Sequence, residues 1–60
     1  MYKKYEELIK KLGITTAEVS RRTGIAESVF SNWKIRGGHL SVENLKKVST
    51  ALGVTIEDLL

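Results

Sequence analysis

Apolar residues recur along this chain at spacings of three and four, not two. Tyr2, Tyr5, Leu8, Ile9 and Leu12 make the stripe of an amphipathic helix, with Gly13 as a left-handed stop. Thr15 is placed as the N-cap of the next element, and Glu18 then falls at the third helical position, the pattern of a capping box. A short helix from about Thr16 to Arg22 follows, with Ala17, Val19 and Ser20 as small or apolar packing positions, and Thr23-Gly24 ends it. A third helix opens at Ile25-Ala26 and runs to Lys34 or Ile35. Ser41 is placed to cap a fourth, whose buried face is Val42, Leu45, Val48 and Leu52 and whose stop is Gly53. Thr55 caps a last short helix with Glu57 and Asp58 in its first turn, where the helix dipole favours negative charge. Ile56, Leu59 and Leu60 then close the core. No alternating run of β-branched residues marks a strand. The pattern predicts an all-α fold, a compact bundle of five short helices forming one domain over residues 1–60.

Sixty residues permit a single small core, since a chain this short buries only about 60% of its unfolded surface. With no cysteine, neither a disulfide nor a thiolate metal site can hold it together, so packing must. The N-terminal MYKKYEELIKK lacks the apolar core of a signal peptide, and nothing approaches the ~18 apolar residues of a membrane span. A cytoplasmic domain without a membrane partner is the expectation. Ten Lys and Arg against seven Asp and Glu give +3, a balance that admits a polyanion without demanding one. Glu6 and Glu7 face Lys10 and Lys11 at i,i+4, where ion pairs are expected. His39 is the only histidine, so neither a metal cluster nor a serine triad can be built on it. Without paired carboxylates or a nucleophile–base set, the residues argue against an enzyme, a cofactor or a small-molecule substrate.

The chemistry concentrates in GIAESVFSNWKIRGG, residues 24–38. Phe30 and Trp33 lie three apart and share one helical face, which is expected to point inward. That leaves Glu27, Ser28, Ser31 and Asn32 outward. A helix, a tight turn about Gly24 and a second helix form the layout of a helix-turn-helix over residues 16–35. Ser20 is small where the helices come closest, and Gly24 tolerates a positive φ. Val19, Ile25, Phe30 and Trp33 have the spacing to lock both helices to the domain.

In this order the residues resemble the helix-turn-helix domain of phage repressors and Cro proteins, within the xenobiotic-response-element family of bacterial regulators. LGITTAEVSRRTGIAESVFSNWK and ENLKKVSTALGVTIEDLL carry the likeness, which covers nearly the whole chain. The resemblance implies a lambda-repressor-like domain and a transcriptional regulator, a repressor of phage or mobile-element type. It implies a homodimer on a palindromic double-stranded DNA operator, with the recognition helix, about 26–35, in the major groove. By the same resemblance Glu27, Ser28 and Asn32 contact bases, with Ser31 beside them. Thr16 stands where the family's phosphate-gripping glutamine stands, and Lys34, Arg36 and His39 hold adjacent phosphates. Two departures bear on function. Ala26 occupies the usual Ser or Thr cap position, a loss of ~1 kcal/mol unless Glu27 or Ser28 caps from a shifted register. Glu27 brings a negative charge close to phosphates. The same fold also admits a protein-interaction module or antitoxin-like adaptor that does not bind DNA, with Ile35, Leu40, Val54 and Ile56 as its apolar patch. A dimer interface is expected around Leu40 and Val54. A positive rim around residues 27–32 separates the two, since it favours the operator reader.

Overall fold

The helical spacings fold as they read, with adjustments at the ends. The computed structural model describes every residue, Met1–Leu60, as four α-helices and a terminal 3₁₀ turn, with no strand. The helices are α1 (Tyr2–Leu12), α2 (Thr16–Thr23), α3 (Glu27–Arg36) and α4 (Val42–Leu52), and the turn covers Ile56–Leu59. Each element sends its apolar side chains to one core. Tyr5 and Ile9 come from α1, Val19 from α2, Phe30 and Trp33 from α3, and Leu45, Val48 and Leu52 from α4. Ile25, Leu40 and Leu59 plug the gaps between them.

The turn between α2 and α3 is held by side chains as well as backbone. Gly24 takes φ 78°, a conformation that suits a residue without Cβ, and its N–H donates to the Ser20 carbonyl at 2.8 Å. The Thr23 hydroxyl donates to the Val19 carbonyl at 2.8 Å and accepts from the Ile25 N–H at 3.2 Å. Ser20 was expected only to be small. Its hydroxyl also donates to the Ile25 carbonyl at 2.5 Å, so it pins the chain on the far side of the turn.

Several expected details are corrected. The third helix begins at Glu27 rather than Ile25-Ala26, because Ala26 is extended (φ −61°, ψ 144°) and Ile25 is used to plug the core. The last helix is a 3₁₀ turn, and the full capping box sits there, between Thr55 and Asp58. At α2 only half the expected box forms. Thr15 accepts from the Glu18 N–H, but the Glu18 carboxylate turns instead to Arg21 and Arg22. Glu6 and Glu7 make no ion pairs with Lys10 and Lys11; the i,i+4 pair outside α2 is Glu43–Lys47 at 3.6 Å. Ala17, Leu12, Val42 and Leu60 are exposed rather than core, Val42 because it is the first residue of α4 and sits at the edge of its buried face.

Candidate nucleic-acid interface

Helix α3 is gripped from behind by rings. Phe30 and Trp33 are almost wholly buried. The Tyr5 ring stacks on Phe30 with centroids 5.4 Å apart and planes 25° from parallel. Tyr2 meets Trp33 edge to face at 5.1 Å and 87°. Both tyrosines belong to α1, so the first helix fixes the orientation of the third through aromatic contacts, each of which is worth about 0.5–1.5 kcal/mol beyond area burial. The Trp33 Nε1–H lies buried among these groups without a hydrogen-bond acceptor.

The opposite side of α3 carries what the core does not use. Glu27, Ser28, Ser31 and Asn32 are all exposed, and none of their side chains hydrogen-bonds or ion-pairs within the chain. Ile35 extends the strip one turn beyond Ser31 and is 80% exposed. Ile35 is expected in an apolar patch for protein partners, but its place in the helical period, four residues past Ser31, puts it on this strip. At about 100° per residue, Lys34 and Arg36 fall on opposite flanks, which rims the strip with positive charge. The N-terminus of α3 has no side-chain cap, since neither Glu27 nor Ser28 turns back to supply one.

The expected phosphate contacts fall in three places. Asn32, Arg36 and His39 line one shallow, open cleft of about 260 Å³ with Ser41 and Asn44 at the start of α4. Lys34 lies outside it, on the other flank. Thr16, half-buried, stands at the first position of α2, and its Oγ1 is 2.8 Å from the Tyr5 hydroxyl. Burial pushes the Tyr5 phenol above its ordinary value, against the opposing effect of that hydrogen bond, so it is neutral near pH 7. Arg21 and Arg22 are held by Glu18, whose carboxyl is lowered first by the Arg22 hydrogen bond.

Leu40 does not belong to the expected exposed apolar patch. It is 7% exposed and packs in the core, while Val54 and Ile56 are half-buried against that core. Of the four residues only Ile35 stands clear. No group of three or more His, Asp or Glu side chains converges in the fold. No helix is long and apolar enough to cross a membrane.

A family model described as the Cro/C1-type HTH DNA-binding domain matches residues 5–60. The match runs from Tyr5 in α1 through α2, α3 and α4 to the closing turn. No curated protein and no solved structure matches the chain.

Proposed function

The chain belongs to the Cro/C1-type helix-turn-helix DNA-binding domain family, and on that premise we propose that it is a sequence-specific transcriptional regulator. The resemblance to phage repressors and Cro proteins supports a repressor of phage or mobile-element type. One observation carries sequence reading above all. The outer strip of α3 is polar, exposed and free of internal bonds, on a helix immobilised from its other side. A solvated polar face is common to surface helices; it is the match to a DNA-binding family that supports reading this one as the face that meets base edges.

In this reading α3 lies in the major groove. The Asn32 amide pairs with adenine N6 and N7, and the Glu27 carboxylate accepts from cytosine N4. Ser28 and Ser31 meet either kind of base, and the Ile35 methyls suit a thymine methyl. Thr16, Lys34, Arg36 and His39 hold phosphates, which sets register without reading sequence. A single helix reads one short half-site, so two copies on a palindrome, with half-sites about 34 Å apart, complete the operator.

Selection of bound duplexes from a random-sequence pool tests the proposal. The expected result is an enriched, roughly palindromic motif and an affinity that falls linearly in log–log terms with salt. A pool that emerges without any enriched motif overturns it in favour of a module that kept the fold and lost DNA.

A further inference from the structure

We propose that Tyr5 is a positioning residue for DNA binding, which orients the Thr16 hydroxyl toward a phosphate and fixes its distance from the recognition helix. The inference rests on the DNA-binding reading above and adds to it a residue that never meets the ligand. Tyr5 is fully buried, yet it touches both segments assigned to DNA. Its ring stacks on Phe30 of α3 at 5.4 Å, and its hydroxyl lies 2.8 Å from Thr16 Oγ1 at the start of α2.

The Tyr5 hydroxyl has no other hydrogen-bond partner. Thr16 is only half-buried at the first position of α2, and the incoming phosphate is placed on its exposed side. A hydroxyl carries one proton and two acceptor lone pairs, and a phosphate oxygen accepts only. When Tyr5 donates to Thr16, the Thr16 proton is left for the phosphate, beside the first amides of α2 that precede its hydrogen-bond ladder. With the direction reversed, lone pairs would face the anion. Bound phosphate therefore selects the Tyr5-to-Thr16 direction, and the aromatic stack fixes where that phosphate can lie relative to the bases that α3 meets.

The test measures affinity for a duplex recovered from the random pool and for a scrambled duplex, at a temperature where circular dichroism shows every variant folded. Thr16→Val is expected to bind about tenfold more weakly, as for loss of one hydrogen bond to a charged group. Tyr5→Phe keeps the stack and is expected to lose about three- to tenfold. Both losses are the same on the two duplexes, Thr16→Ser binds like wild type, and the double variant binds no more weakly than Thr16→Val. Wild-type affinity in folded Tyr5→Phe, with only its melting temperature lowered, overturns the inference while the DNA reading stands. Full additivity in the double variant also overturns it. Wild-type protein that binds no duplex removes the DNA reading and this inference together.

Discussion

The Ser20 hydroxyl donates to the Ile25 carbonyl at 2.5 Å, across the turn that sets the angle between α2 and α3. Ile25 is 6% exposed, so water cannot readily replace that donor. Ser20→Ala is expected to cost about 1–3 kcal/mol, the range for a buried acceptor left unpaired. A domain of this size draws only about 3–5 kcal/mol from its core, so the loss is a large share of its stability. Urea unfolding measures it directly.

The uncapped start of α3 offers a gain. Ala26 already has the extended backbone of an N-cap, but its methyl can accept nothing. Ala26→Ser is expected to stabilise the domain by about 1 kcal/mol and to raise the melting temperature by about 4–8 °C in a thermal scan. No change, or a lower melting temperature, would mean that the α3 N-terminus is satisfied in another way.

The two displaced titrations give stability opposite slopes at the two ends of the pH scale. Burial raises the Tyr5 phenol, so its neutral form is favoured by folding. Its contribution is fully present below the unfolded value of about 10 and is lost as pH rises through the higher folded value. Wild type is expected to lose stability in that alkaline window more steeply than Tyr5→Phe. Glu18 is lowered, chiefly by its hydrogen bond from Arg22, so its contribution is present above the ordinary carboxylate value of about 4.3 and fades as pH falls through the lower folded one. Glu18→Gln should flatten the acid limb, as read by circular dichroism across a pH series.

Much of this was legible in the sequence because helical periodicity and caps are local signals. The stripe through Tyr5 and Ile9, the caps at Thr15 and Ser41 and the inward pair Phe30 and Trp33 all depend on residues within a turn or two of each other. Tertiary competition decided the rest. Glu18 had the spacing for a capping box, but two arginines on the next turn offered it opposite charge. Leu40 sits in a loop with no period to reveal its direction, and the space beside Trp33 and α4 drew it inside. The Tyr5–Thr16 bond joins residues eleven apart on different helices, a contact that no local pattern encodes. Ile35 is apolar on a polar strip, and only its register with Ser31 marks it as part of that strip.

That α3 meets base edges through the side it turns away from the aromatic rings is tested most directly at Asn32. Affinities of wild type and Asn32→Ala are compared on the selected duplex and on its full set of single-base variants. The variant should lose about 1–3 kcal/mol on the selected site, and discrimination should collapse at one base pair while holding elsewhere. Unchanged discrimination at every position, whether or not affinity falls, would contradict the claim.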